Sequence, residues 1–248
     1  MTFKENALTA PSDFDLEAYR KAVALDLRLF AFLHGQEIDK EAFLELKAHP
    51  FGYRMALEPA GKTAQEALAV IDRGWAVLEE QGVQSAIDEL GADYASIYLT
   101  YKLRASPSES VWFDDDHLMR QDPMFDIRDW YERYGLKSAD WSRRSEDHLS
   151  LQLEFIARLM EDPATGLEQA AQFLDEHLLR WIGEFAARVS SRCATPFYAG
   201  FAPLTACYLE DMRDVIEAAT GYARPVAEDE TEPGDKSSNL QLQPDILS

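Results

Sequence analysis

Cysteine is scarce in this chain. Only Cys193 and Cys207 occur among its 248 residues, and they form no Cys-x-x-Cys pair. A disulfide framework or a zinc ribbon needs more cysteines at closer spacing, so neither is expected and both thiols are predicted to be reduced. The N-terminal residues also lack the basic segment followed by an apolar one that makes a signal peptide. We therefore predict a cytoplasmic protein.

The common motifs for membranes, nucleotides and metals are also missing. No apolar run approaches the roughly 18 residues that span a bilayer. There is no glycine-rich phosphate-binding loop and no H-E-x-x-H pair. The histidines are scattered, and none follows a glutamate at the Glu-x-x-His spacing of di-iron bundles. They are His34, His49, His117, His148 and His177. We predict no cofactor and no metal site.

Basic residues are few relative to acidic ones. The chain has 45 Asp and Glu against 24 Lys and Arg, a net charge of −21. A nucleic acid partner is not expected, because its phosphates would be repelled. An acidic surface would instead attract a basic peptide, although such a surface also serves simply to keep a protein in solution.

Apolar residues recur at helical spacing along most of the chain, and no window alternates apolar and polar residues between turn signals. The clearest helix follows residue 145, and a second apolar line beside its main stripe predicts burial on more than one side. The main stripe comprises Leu149, Leu153, Ile156 and Met160. The predicted fold class is all-α.

Helix boundaries are predicted from capping residues followed by Pro, or by Glu three positions later. The predicted N-terminal caps are Asp13 or Asp15, Thr63, Ser145, Thr165 and Thr195. Gly221 is expected to end the last helix. Residues 135–146 are polar, contain a glycine and show no apolar period, so they are the best candidate boundary between two halves.

This boundary divides the chain into an N-terminal helical half over residues 1–140 and a C-terminal half over 141–224. Residues 225–248 are acidic, contain proline and show no period. They are predicted to form a disordered tail.

The start of the central helix carries the run Glu146-Asp147-His148. With Ser145 as the cap, both carboxylates would lie in the first turn near the positive end of the helix dipole. The imidazole would follow at an open mouth rather than in the core. Ordinary capping electrostatics is one interpretation, and a recognition site is the other.

Four segments of the chain resemble, in order, the motifs of one protein family. The run S-E-D-H-L-x-x-Q-L-E-F from Ser145 resembles the signature E-P-D-H-L-x-x-x-L-x-F-M of TorD/DmsD-like redox-enzyme maturation chaperones. D-Y-A-S-I-Y from Asp93 resembles the family's D-Y-x-x-L-F, and S-V-W from Ser110 its S-V-Y or S-V-W. F-L-x-x-H-L-x-x-W from Phe173 is a fourth match. The resemblance covers roughly residues 15–222.

The resemblance implies an all-helical fold of two unequal halves joined by a hinge, sometimes swapped between protomers. Such chaperones bind the twin-arginine leader of a molybdenum-containing oxidoreductase. They hold the apoenzyme until its cofactor is inserted and delay its export. The expected partners are therefore the leader and the apo form of a molybdopterin-dependent oxidoreductase, with the chaperone a monomer or a domain-swapped dimer. No catalytic residue is expected.

The same resemblance locates a candidate leader site, since the family's Asp-His pair at the junction of the halves is implicated in leader binding. An acidic rim of Glu146, Asp147 and Asp114–Asp116 is expected to meet the arginines, beside a groove that buries the apolar part of the leader. For Tyr94 and Ile97, core packing is the alternative. The candidate site comprises Tyr94, Ile97, Tyr98, Ser110, Trp112, Glu146, Asp147, His148 and Leu149.

Two other functions stay open at the level of the sequence. A helical metal-dependent hydrolase could use Asp147 and His148 with other carboxylates, although it needs further histidine ligands and the sequence offers few. Separately, the run Asp114–Asp116 before His117 could bind a cation. That acidic run is, however, also typical of a solvated loop. A helical adaptor with unrelated clients is the second alternative.

Overall fold

A computed structural model of the chain describes residues 15–49, 55–100, 102–114, 116–138 and 144–225. The prediction of an all-α fold is confirmed: these ranges contain helices and one isolated antiparallel bridge, between Ser108 and His148, but no strand. The α-helices are α1 Leu16–Gly35, α2 Lys40–Ala48, α3 Lys62–Gln81, α4 Val83–Tyr94, α5 Ser110–Phe113, α6 Asp122–Arg133, α7 Leu149–Glu161, α8 Leu167–Glu176, α9 Ile182–Arg192 and α10 Pro196–Thr220.

Two shorter turns complete the described chain. A π-helical turn, Ala95–Leu99, continues α4, and a 3₁₀ turn, Leu178–Arg180, precedes α9. In the described ranges, no helix combines the length and the apolar character that crossing a bilayer requires.

Several predicted helix ends are confirmed. Asp15 caps α1, and its carboxylate accepts a hydrogen bond from the amide of Ala18 at 3.0 Å. Thr195 precedes α10, and Pro196 occupies the first position, where a missing N–H costs nothing. Gly221 ends α10 with a φ of 74°, in the left-handed region that favours glycine.

Three predicted caps are wrong. α3 begins at Lys62, one residue before Thr63, and α8 begins at Leu167, after Gly166. The Thr165 hydroxyl instead donates to the carboxylate of Asp162 at 3.2 Å, within the turn that follows α7. Gly166 occupies the cap position of α8, so Thr165 lies one residue too early to cap it.

The third wrong cap is Ser145, because α7 begins only at Leu149 with His148 at the cap position. Residues 145–148 form a turn in which the amide of His148 donates to the carbonyl of Ser145 at 3.0 Å. Glu146 and Asp147 therefore precede the helix, and they do not lie in its first turn.

One hydrophobic core runs through the described chain and is shared by helices from both sides of the predicted boundary. α1 packs along α7, where Arg28 pairs with Glu154 and Glu161. α3 packs along α10, and the two helices approach closely at Gly74 of α3 and at Gly200 of α10. A Cβ atom on Gly200 would lie 2.5 Å from the carbonyl oxygen of Ala67.

The division at residue 140 stays a prediction. Residues 139–143 of the expected hinge and 226–248 of the expected tail lie outside the described residues.

Candidate functional site

The candidate site lies where the loop before α5 runs antiparallel to the start of α7. The amide of Leu149 donates to the carbonyl of Pro107 at 2.7 Å, and the amide of Glu109 donates to the carbonyl of Asp147 at 3.2 Å. Two segments that the sequence separates by more than thirty residues are thereby tied together by their backbones. We call residues 106–112 and 145–152 together the motif junction.

Asp147 is the central carboxylate of the motif junction and is completely buried. Its Oδ2 accepts two hydrogen bonds from Ser110, one from the backbone amide at 2.7 Å and one from the hydroxyl at 2.5 Å. Bonds from uncharged donors to a carboxylate are among the stronger hydrogen bonds in proteins. Among the described residues, Oδ1 has no partner.

A second buried carboxylate, Glu109, links the junction to a third part of the chain. Its Oε2 accepts a hydrogen bond from the amide of Gln152 at 3.1 Å, and its Oε1 lies 3.0 Å from Nδ1 of His177. The same Gln152 amide donates to the carbonyl of Asp147 at 2.8 Å. Glu109 and Gln152 are both fully buried, so these bonds are made away from water.

No role is predicted from the sequence for Glu109, which directly precedes the S-V-W motif, or for Gln152, which stands within the motif that starts at Ser145. His177 also stands in a quoted motif. Nothing in local spacing indicates that these three side chains meet, because they come from the loop before α5, from α7 and from the end of α8.

His148 caps α7 with its own side chain and is buried rather than placed at an open mouth. Its Nδ1 accepts a hydrogen bond from the amide of Ser150 at 3.1 Å, so the ring proton of the neutral form belongs on Nε2. Burial, with a smaller contribution from the Arg144 guanidinium, lowers the pKa of His148 to about 3. The imidazole is therefore neutral at physiological pH.

Glu146 is nearly buried and pairs with Arg128 of α6. Its Oε2 accepts a hydrogen bond from Nε of Arg128 at 2.6 Å and forms an ion pair with Nη2, also at 2.6 Å. The hydroxyl of Tyr131 donates to the carbonyl of Glu146 at 3.1 Å, which fixes the turn against α6. The negative charge of Glu146, which was predicted to lie on the rim, is thus largely neutralised by Arg128.

The aromatic residues of the predicted groove pack in the core. Tyr94, Ile97 and Tyr98 are each 4% exposed or less. Core packing, the alternative stated above for Tyr94 and Ile97, therefore applies to all three residues. The Tyr98 hydroxyl lies 2.6 Å from Nδ1 of His34, and Nε2 of His34 lies 2.9 Å from Oγ1 of Thr205.

The direction of this chain of bonds follows from its last member. Since the Thr205 hydroxyl donates to a backbone carbonyl, His34 donates from Nε2 to Thr205 and accepts from Tyr98. Burial, and to a smaller extent His148, lowers the pKa of His34 to about 3. His34 is therefore a neutral link that holds Tyr98 in place beneath the junction.

Trp112 and Leu149 complete the predicted apolar set. Trp112 is half-buried, donates from Nε1 to the carbonyl of Ser106 at 3.0 Å and stacks on Trp181 with ring centres 6.0 Å apart. Leu149 is fully buried. Of the predicted acidic run, Asp114 accepts a hydrogen bond from the amide of Leu118 at 2.7 Å, Asp116 is exposed, and Asp115 lies outside the described residues.

A cavity of about 500 Å³ opens beside the junction, between α6 and the end of α8. Five carboxylates outnumber Arg133 and Arg180 in its described lining, so we call it the acidic cavity. Glu109 and His177 form part of its wall, so it touches the buried network from outside. Its other acidic lining residues are Asp126, Asp129, Asp175 and Glu176. In the part of the chain that the structure describes, no group of three or more His, Cys, Asp or Glu side chains is arranged to hold a metal ion.

Comparison with known proteins gives consistent similarities. A family model described as "Nitrate reductase delta subunit" matches residues 58–187. The chain is 28% identical over 218 residues to the Chaperone protein TorD of Psychrobacter sp., covering 81% of this chain and 94% of that protein. It is 30% identical over 189 residues to the Shewanella loihica TorD, covering 72% and 85%.

The similarity to the Chaperone protein TorD of Vibrio cholerae covers a smaller share of both proteins. It reaches 29% identity over 148 residues, which is 55% of this chain and 66% of that protein. The alignment thus spans just under two thirds of the Vibrio protein.

Proposed function

Because the chain belongs to the nitrate reductase delta subunit family of TorD-like maturation chaperones, we propose that it assists the maturation of a molybdenum-cofactor oxidoreductase. It binds the twin-arginine leader and the apo form of its client in the cytoplasm. It thereby assists insertion of the cofactor and delays export. The chaperone has no catalytic residue and no cofactor of its own in this proposal.

The observation that carries the proposal is the convergence of three separate motifs at the motif junction. Ser110, Asp147 and His177 belong to different helical segments, yet all three bond within one buried polar network. The hydrogen bonds made by these buried carboxylates tie three separate segments together and so restrict the surrounding chain to one arrangement. Such a fixed arrangement suits a recognition surface.

Direct contact between the leader and the buried network is limited by access. Asp147 and His148 are both below 10% exposed, whereas Asp126 and Asp129 in the acidic cavity face solvent. We therefore assign the buried residues of the junction to holding the surface in shape. In this proposal the guanidinium groups of the leader approach the carboxylates of the acidic cavity, next to Glu109.

Charge supports this assignment. A net charge of −21 attracts a basic peptide from solution and speeds its encounter with the surface. Since this attraction acts largely through solvent, salt screens it over about 10 Å at 0.1 M.

The test is the binding of a fluorescently labelled twin-arginine leader, measured by anisotropy at low and high salt. We expect salt to weaken binding, and replacement of the arginine pair by alanines to abolish it. The double variant Asp126→Asn/Asp129→Asn should bind about tenfold more weakly, as expected for losing charge-assisted contacts. Asp72→Asn, at an exposed position on α3, is the matched control and should bind like the wild type.

Equal affinity for the arginine and alanine peptides would contradict leader recognition. Co-purification from the native host then separates the alternatives, since an adaptor would bring unrelated clients. Metal analysis of the same preparation tests for the hydrolase, and light scattering tests for a monomer against a swapped dimer.

A further inference from the structure

A second cavity, of about 550 Å³, lies on another part of the surface and has the opposite charge. The loop before α5, the segment after it and the end of α9 enclose it. Its walls include Arg104, Ser106, Val111, Met119, Arg188 and Arg192. His117 also lines it, and none of the described lining residues is acidic. Among the described residues, the lining thus includes three arginines and no carboxylate.

Two of these arginines are anchored by backbone carbonyls. Arg188 donates from Nη1 to the carbonyl of Arg104 at 2.9 Å, and Arg192 donates from Nη1 to that of Leu103 at 2.7 Å. The guanidinium of Arg188 also lies over the ring of Trp112, 4.5 Å from its centre. These contacts hold the two guanidinium groups in place while leaving further N–H donors on each side chain.

The third arginine, Arg104, is not anchored in this way. Arg104 is exposed, and its side chain has no hydrogen bond or ion pair to any residue that the structure describes. Arg188 also pairs with Glu184, whose side chain is 61% exposed. The described lining therefore carries an excess of basic side chains in an otherwise acidic protein, and the one carboxylate that pairs with a lining arginine is largely screened by solvent.

We propose that this cavity binds a small molecule carrying two or more adjacent oxyanion groups, either phosphates or carboxylates. Guanidinium forks match both groups, and they do so with two parallel hydrogen bonds. A single monovalent anion would leave most of the positive charge unmet. The volume lies within the range of small-molecule sites, about 300–1,000 Å³, and Val111 and Met119 offer apolar contact to the carrier of the charges.

The acidity of the whole chain makes the proposal easy to test. Non-specific binding of anions is opposed by the net charge of −21, so any measurable affinity has to arise at a local positive site. The probes are inorganic pyrophosphate and citrate, titrated into the full chain by isothermal calorimetry in metal-free buffer. Binding of pyrophosphate alone identifies a phosphate site, binding of citrate alone identifies a carboxylate site, and either result supports the proposal.

Arg104→Gln and Arg192→Gln locate the binding. Each should weaken the affinity about tenfold, as expected for the loss of a charge-assisted contact. Both side chains are exposed, so the variants should fold, and circular dichroism and thermal unfolding verify this. Arg73→Gln, at an exposed position on α3, is the matched control and should bind like the wild type.

Three results would overturn the proposal. The first is no heat from either probe at millimolar concentration. The second is equal affinity in the cavity variants, the control and the wild type. The third is binding of a long acidic peptide with no binding of either small anion, which would make this face a protein-docking surface.

Discussion

The carboxylate of Asp147 accepts both hydrogen bonds that Ser110 can donate, at 2.7 Å from the amide and 2.5 Å from the hydroxyl. The two residues are 37 positions apart in the chain. Each comes from a different motif of the family that the sequence resembles. The pair thus joins the two motifs in space: one supplies a buried carboxylate and the other supplies the two donors to its Oδ2.

This pairing predicts a stability effect at Ser110. Ser110→Ala removes the hydroxyl donor and leaves Asp147 with only the amide, so the free energy of unfolding should fall by about 1.5–3 kcal/mol. Urea denaturation measures the change. Ser190→Ala, at an exposed position of α9, is the control and should change stability by less than about 0.5 kcal/mol. Equal stability of the two variants would show that the bond contributes nothing.

Asp147→Ala separates the two roles that the sequence left open for this residue. Since Asp147 is fully buried and tied to the loop before α5, its loss should reduce both stability and leader affinity. The stability loss should exceed the roughly 0.5–2 kcal/mol of an ordinary helix cap, because it leaves the Ser110 donors unpaired. Unfolding curves and leader binding would be measured on the same samples. Unchanged stability with weakened binding would place Asp147 on the surface and contradict its burial.

Asp93 predicts a further loss of stability. Its carboxylate accepts hydrogen bonds from the amides of Ala194 at 3.0 Å and Thr195 at 2.5 Å, and thus ties the residues before α10 to α4. Asp93→Ala should cost about 1–3 kcal/mol, because both amides would be left without that partner. Asp39→Ala, which removes an exposed cap of α2, should cost only about 0.5–1 kcal/mol. A smaller loss for Asp93 than for Asp39 would contradict this role.

Replacing glycine by alanine should have opposite effects at Gly200, which lies at the contact between α3 and α10, and at Gly183, which lies in α9. A Cβ atom on Gly200 would meet a carbonyl oxygen at 2.5 Å, so Gly200→Ala should force the helices apart and destabilise the protein by about 1–3 kcal/mol. Gly183 lies in α9 with nothing within 4 Å of an added Cβ. Gly183→Ala should therefore stabilise the protein by up to about 1 kcal/mol through helix propensity. Thermal unfolding of the two variants checks the difference in sign.

The two buried histidines predict that stability falls on mild acidification. Burial lowers the pKa values of His34 and His148 to about 3, so both stay neutral in the folded state well below pH 6.5. The unfolded chain takes up these protons near pH 6.5, and stability is therefore lost as the pH falls below that value. Between pH 7.5 and 5.5, each histidine should reduce the free energy of unfolding by about 1.4 kcal/mol.

Urea denaturation at both pH values measures this loss. His34→Gln and His148→Asn should each remove their own share of it, whatever they do to stability at pH 7.5. An identical pH dependence in the wild type and both variants would contradict the burial of the neutral rings.

The helices and much of the site's composition follow from local patterns in the sequence. The apolar period along α7, the carboxylate of Asp15 and the Thr195-Pro196 pair act within one or two turns of chain, so they predict helices and some of their ends correctly. The family motifs also single out Ser110, Asp147 and His148 without any knowledge of their contacts.

Only the tertiary structure decides what these residues do for one another. Ser145 has the local chemistry of a cap, yet pairing of the chain at Pro107 with Leu149 starts α7 later and leaves the cap to His148. Glu109 reaches Gln152 and His177 only after three segments pack together. Helical period and capping act over a few residues, whereas burial and the pairing of charges depend on distant segments meeting in space. For this reason the sequence identifies some polar residues of the candidate site, such as Ser110 and Asp147, but only the fold adds Glu109 and Gln152 and determines which side chains are buried.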